Sequence, residues 1–228
     1  KGTEKEISHQ RAINLIAKVP TIIASWERVR NDKEPIEPDS NLSHAANFLY
    51  MLTGERPDKE MERVFDVCLI LHADHTFNAS TFAAREVAST RAHMYSAVSA
   101  AVGALSGELH GGANFEVMKM LLDIKEESNV EGWVKKKIER GNRIMGMGHA
   151  VYKTVDPRSM VLKELSKKLS EKTGLPWFSI TKKVEETTAG LMKNRKERDI
   201  FPNVDLYSAS VYYMLKIPMD LNTPIFAI

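Results

Sequence analysis

At 228 residues and a net charge of +2, the chain is long enough for a full core in one or two domains, and it lacks the basic excess of a nucleic-acid binder. Hydrophobic residues make up 43% and charged residues 27%, the balance of an ordinary globular protein; no apolar run approaches a membrane span and no signal-peptide pattern opens the chain. The single cysteine, Cys68, lies in the apolar run 67–71; it cannot form an intrachain disulfide, reads as a small core residue rather than a nucleophile, and suits the reducing cytoplasm.

Helical spacing dominates from end to end, and an all-α fold is expected. Residues 8–30 carry apolar side chains at Ile13, Ile16, Val19, Ile22, Ile23 and Trp26, with Pro20 expected to start a new helix or kink a continuous one. A polar loop with Pro35 and Pro38 follows. Ser43 is placed to cap a helix that Gly54 ends. Pro57-Asp58 opens the next, which runs through Val64, Phe65, Cys68, Leu69 and Leu71, and another is expected over 78–89. Residues 92–105 differ, because the run Ser96 to Leu105 has almost no large or charged side chain. A helix small on all faces is buried on all faces and lets neighbouring backbones approach; here it forms the centre either of a domain or of a dimer interface. From Phe115 the texture becomes more charged and amphipathic, with helices expected at 115–127, 130–140, 158–172, 182–194 and 204–215. The loops 141–156 and 195–203 between them are the richest in Gly, Pro and unpaired charge. The change of texture near 112 marks a candidate domain boundary.

Five stretches carry side chains suited to chemistry. In Ser106-Gly107-Glu108-Leu109-His110-Gly111-Gly112-Ala113-Asn114, glycines let the backbone turn sharply or approach another group closely. His110 lies near the expected start of a helix, a setting that disfavours protonated imidazole. It reads either as a capping or core histidine, or as a neutral donor to an oxygen that becomes anionic. His72-Ala73-Asp74-His75 places two histidines on one side of a helix end, yet the only cysteine sits one turn back in an apolar run; caps and core hydrogen bonds outweigh a metal site. In Met145-Gly146-Met147-Gly148-His149, two glycines before a histidine would let backbone amides face a ligand, with Lys153 supplying charge nearby. The pattern is neither a P-loop nor a dinucleotide fingerprint. Asp156-Pro157-Arg158 opens a helix, where Arg158 is either solvated or a bidentate clamp on a carboxylate. Finally, Asp205 stands at the start of an apolar helix, as a cap or as a base that would have to be held near a substrate carbon and partly desolvated.

The order of these stretches is more specific than any one of them. His75…Ser80, Leu109-His110-Gly111, Gly148-His149-Ala150-Val151, Asp156-Pro157-Arg158 and Pro202-Asn203-Val204-Asp205, preceded by 42–54, closely resemble the citrate synthase family in its bacterial and archaeal branch. The resemblance covers essentially the whole chain. It implies condensation of acetyl-CoA with oxaloacetate and hydrolysis of the citryl thioester, with no tightly bound cofactor and acyl-CoA as co-substrate. It implies that His110 hydrogen-bonds the thioester oxygen, that Asp205 takes the methyl proton, and that His149 polarises the ketone of oxaloacetate. His75 and Arg158 match oxaloacetate-binding positions beside the two histidines. Met145, Gly146, Gly148, Asn203 and Lys153 match positions around coenzyme A. The family fold, two all-α domains with the active site in the cleft between them, implies a large-domain part at 1–111, a small domain at 112–216 and a return to the large domain at 217–228. Family members are at least dimers, so a homodimer is expected.

The chain begins at Lys1 and ends inside an apolar run, which reads as an internal piece. The family's further N-terminal part, and two substrate-binding arginines beyond the equivalent of Ile228, are then lacking, and little activity is expected from this piece alone. Thr76 stands where relatives commonly carry Glu. Within the same chemistry the alternative is a 2-methylcitrate synthase using propionyl-CoA; from another class, it is a non-catalytic helical binding or assembly module.

Overall fold

The computed structural model describes residues 4–73, 75–107, 110–149, 152, 154–196 and 199–228. They fold into helices and loops; among them the only extended pairing is an isolated bridge between Met147 and Pro202. The chain divides into two compact units, Lys1–Gly111 with Thr223–Ile228, and Gly112–Asn222. Residues 217–222, read from the sequence as the start of the return, group with the second unit.

In the first unit, α1 (Glu4–Val29) continues through Pro20 rather than restarting there. α2 (His44–Thr53) begins where the Ser43 hydroxyl accepts from the Ala46 N–H and ends where Gly54 turns left-handed at φ 84°. α3 (Lys59–Ala73) is opened by the Asp58 carboxylate, which accepts from the N–H groups of Glu60 and Met61 at 3.0 Å. Phe48 and Phe65 stack at 5.1 Å between ring centroids and anchor α2 against α3. Cys68 is fully buried there, and burial pushes its thiol pKa well up, so it is a core residue. α4 (Ala79–Ser89), capped by Asn78, packs against α5 (Met94–Leu105). That pair departs from expectation: within this chain Ala97 is the one buried residue of α5, and α4 has none.

The second unit is built around α10 (Val204–Met214), which is buried nearly all round. It packs against α6 (Ala113–Ile124), α8 (Pro157–Thr173) and α9 (Trp177–Lys196), while α7 (Val130–Glu139) lies on α9. The Tyr207 hydroxyl donates to Glu185, and Lys163 pairs with the same carboxylate at 2.8 Å, which ties α8 and α9 to α10. Two boundaries differ from the periodicity. α6 stops at Ile124 because Lys125 takes a positive φ of 66° and a 3₁₀ turn over Glu127–Asn129 follows. α9 starts at Trp177, five positions before Lys182, since Trp177, Ile180 and Val184 all face the core. The last helix, α11, is the single turn Asn222–Ile225.

Candidate active site

Each unit holds part of the expected constellation. In the first, His110 lies in the turn between α5 and α6, with its N–H donating to Gly107 O at 2.9 Å. Its Nε2 is 2.8 Å from the Ser80 hydroxyl on the first turn of α4. Burial holds the imidazole pKa below its ordinary value, which favours the neutral ring. Gly111 is required by close approach: a Cβ there would stand 2.2 Å from Leu105 O and 2.6 Å from Thr223 Cγ2. The Thr223 hydroxyl meanwhile donates to Gly111 O at 2.7 Å. His75 is half-buried just beyond α3. Its neighbour Thr76 holds φ 52°, a costly conformation for a β-branched residue. His72 lies with its ring 4.1 Å from that of Phe226.

In the second unit the loop with Met145, Gly146 and Gly148 is tied to residues 201–203. Gly148 N–H donates to Phe201 O at 2.7 Å, and Asn203 N–H donates to Gly146 O at 2.9 Å. The Asn203 carboxamide works on both sides, donating to Gly148 O at 2.8 Å and accepting from the Asp205 N–H at 2.9 Å. Gly146, at φ 79°, is pressed so close to α10 that a Cβ would meet Leu206 Cα at 2.8 Å. Of the backbone amides expected to face a ligand, those of Met147 and Gly148 are therefore engaged within the chain, by Ile144 O and Phe201 O. Lys153, with Leu109, Ala150 and Val151 of the motifs, lies outside the described residues.

Asn203 caps α10, so Asp205 does not. The Asp205 carboxylate is left for another role: it is half-buried, and desolvation pushes its pKa up to about 6. An amide hydrogen of Asn114, the second residue of α6, opposes that rise from 3.5 Å. The sequence does not single out Asn114, since an Asn at a helix start reads as a cap and its partners lie 91 and 94 positions away.

Arg158 and Asp156 correct the reading of a solvated arginine. Arg158 is 7% exposed, and its Nε and Nη2 donate to the two oxygens of Asp156 at 3.0 and 2.8 Å. The clamp is bidentate and its carboxylate belongs to the chain. Burial alone would raise the pKa of Asp156, but the hydrogen bonds and charge of Arg158 bring it below the usual carboxylate range. The same carboxylate caps α8 through the Arg158 N–H. His149 lies within the field of this pair. Burial holds its pKa down, with the Asp156 charge opposing and the Arg158 charge assisting. Its Nδ1 accepts from the Tyr152 N–H at 3.1 Å, so the proton of the neutral ring sits on Nε2.

The second unit thus brings Asp156, Arg158, His149 and Asp205 into one electrostatic group, holding a neutral imidazole donor, a guanidinium and a carboxylate poised near neutrality. Those are the parts of a carbon-acid reaction: a base with raised proton affinity, and a donor for an oxygen that gains charge. Two open cavities of about 310 and 380 Å³ share Val155, Glu185 and Pro202 in their walls and have none of His149, Arg158 or Asp205 in them. Among the described residues no three His, Cys, Asp or Glu side chains converge as metal ligands, and no helix is long and apolar enough to cross a membrane.

A family model described as citrate synthase, C-terminal domain, matches residues 1–228. The citrate synthase of Haloferax volcanii is 45% identical over 228 residues, covering 99% of this chain and 59% of that protein. Among solved structures, the citrate synthase of Pyrobaculum aerophilum matches with a TM-score of 0.91 at 42% identity, over 100% of this chain and 56% of its own. A citrate synthase of Thermoplasma acidophilum, solved as a ternary complex with carboxymethyl coenzyme A and oxaloacetate, matches with a TM-score of 0.90 at 33% identity, over 98% of this chain and 59% of that one. The chain spans a little under three fifths of the length of each.

Proposed function

The chain belongs to the citrate synthase family, and we propose that the protein carrying it joins acetyl-CoA to oxaloacetate and hydrolyses the product to citrate and free coenzyme A. The observation that carries this reading is Asp205: a half-buried carboxylate, released from capping by Asn203, with its pKa raised to about 6. A group with that proton affinity is ionised at pH 7 yet basic enough to take part in proton removal from carbon. In the proposed reaction Asp205 takes a proton from the acetyl methyl. His110 donates from Nδ1 to the thioester oxygen as it gains charge, while the Ser80 hydroxyl donates to Nε2. The methylene carbon then bonds to the ketone carbon of oxaloacetate, and the ketone oxygen receives the Nε2 proton of His149. Water then returns a proton to His149 as its oxygen bonds to the thioester carbon, and coenzyme A leaves as the thiol with the proton held by Asp205, so both side chains end as they began and the new carboxyl group ionises.

His75 and Arg158 hold oxaloacetate in this reading. Arg158 has two of its N–H groups on Asp156 and offers the others to a substrate carboxylate. Asn203 pins the Met145–Gly146–Gly148 loop to α10, and that loop with Lys153 receives coenzyme A. The ligands in the Thermoplasma ternary complex support this substrate pair. A homodimer is supported by the α4–α5 pair, whose Phe82, Tyr95 and Val102 are 56, 45 and 49% exposed in the single chain.

The test is thiol release by the natural gene product that carries this sequence, with oxaloacetate and either acetyl-CoA or propionyl-CoA. Citrate formed with acetyl-CoA at the higher kcat/KM is expected. A preference for propionyl-CoA would move the assignment to 2-methylcitrate formation, where one methylene is worth about 1–3 kcal/mol. No thiol release with either would leave a non-catalytic module.

A further inference from the structure

We propose that Asn114 is the positioning residue of the Asp205 carboxylate, holding it toward the substrate carbon. The proposal rests on the reading of Asp205 as the base. Asn114 is fully buried on the first turn of α6. Its Nδ2 is 2.6 Å from Ser208 Oγ and 3.5 Å from Asp205 Oδ1, so one amide group bridges two residues on successive turns of α10. The Ser208 hydroxyl donates to Val204 O at 2.7 Å and therefore presents only lone pairs to Asn114. With an acceptor hydroxyl on one side and a carboxylate on the other, the NH₂ edge must face both, and the amide has one orientation.

The remaining edge gives the second line of argument. Asn114 Oδ1 is buried and has no hydrogen-bond partner among the described residues. A buried carbonyl without a partner is costly, and a Leu of similar size would fill the space without that cost. The position therefore keeps an amide for what its nitrogen does. The nitrogen's contact with Asp205 is long, so it orients the carboxylate without quenching it. Other charges face Asp205 as well: Arg158 favours its ionised form and Asp156 its protonated form, both from the start of α8. Asn114 is the neutral member of this group, able to fix geometry without adding charge.

The experiment has a readout that does not depend on turnover. The Asp205 carboxyl is titrated by carbon NMR in the ¹³C-aspartate-labelled natural gene product, with the signal assigned by its loss in Asp205→Asn. Asn114→Asp keeps the shape but replaces the donor with a second carboxyl, and is expected to raise the Asp205 midpoint by more than about one pH unit. Asn114→Ala is expected to raise it by less. In the gene product, Asn114→Asp is expected to lower kcat about 10- to 100-fold, leave KM for oxaloacetate within about threefold, and move the acid limb of kcat upward with the NMR midpoint. An unmoved midpoint in folded Asn114→Asp overturns the proposal and makes Asn114 a packing residue. If that variant does not fold, Ser208→Ala decides, because it removes the second anchor of the amide: an unmoved midpoint there also overturns it. A moved midpoint with an unmoved acid limb upholds the link between Asn114 and Asp205 and overturns Asp205 as the base.

Discussion

Helix α10 and the α4–α5 pair are written in similar letters and meet opposite fates. Val204–Met214 and Met94–Leu105 are both apolar, rich in Ala, Ser, Val and Tyr, and nearly free of charge. Helix α10 is covered on almost every side by α6, α8 and α9, whereas α5 buries only Ala97 in this chain. Composition says that a helix is made to be covered; it does not say by what. Helix α10 is covered by its own chain, and that cover desolvates Asp205. The cover of α4–α5 is, in our reading, a second copy.

Two substitutions break the comparison most sharply. Ala209 on α10 is fully buried, so Ala209→Glu forces an unpaired charge into the core and is expected to cost more than about 4 kcal/mol. Val102→Glu on α5 is expected to leave the single chain within about 0.5 kcal/mol while abolishing self-association. Urea melts and sedimentation of the two variants check this. Equal loss of stability would mean that α5 is covered within its own chain.

A smaller effect follows from the cover over Asp205. Its pKa is raised in the folded state, so its contribution to stability is fully present below pH 3.8 and is lost as pH rises through about 6. Asp205→Asn is therefore expected to stabilise the chain by about 1–3 kcal/mol at pH 7.5 and by little at pH 4. Urea midpoints at the two pH values measure it. A gain independent of pH would show that desolvation is not the cause.

Smaller still is Gly103, inside α5, where a Cβ would meet nothing within 4 Å. Gly103→Ala is expected to stabilise the single chain by about 0.5–1 kcal/mol through helix propensity, and to weaken its self-association. Tighter association would overturn the view that this glycine admits a neighbouring backbone. Thermal melts across a range of protein concentrations separate the two effects.

Several helix ends, though not the cap of α10, are legible in the residues alone. Ser43, Asn78 and Asp156 sit where their side chains accept from the first free N–H groups, and Gly54 closes α2. The ordered motifs point to the charged and titratable residues that the second unit groups: His149, Asp156, Arg158 and Asp205. Sequence does not decide which of two roles open to a side chain is taken. Arg158 reads either as solvated or as a carboxylate clamp, and the structure folds the clamp back onto its own cap residue, Asp156. Asp205 reads either as a cap or as a base, and Asn203, only two residues before it, takes the capping role. The start of α9 escapes the periodicity because Trp177 and Ile180 reveal their face only against the rest of the second unit.

The central claim is that Asp205 removes the proton from carbon, and one variant tests it most directly. Asp205→Asn in the natural gene product keeps the size of the side chain and its place on α10 while removing the base. Turnover is expected to fall about 10²–10⁴-fold with oxaloacetate affinity, measured by calorimetry, little changed. Turnover within a few-fold of the parent would contradict the account and return Asp205 to the role of an ordinary residue at a helix start.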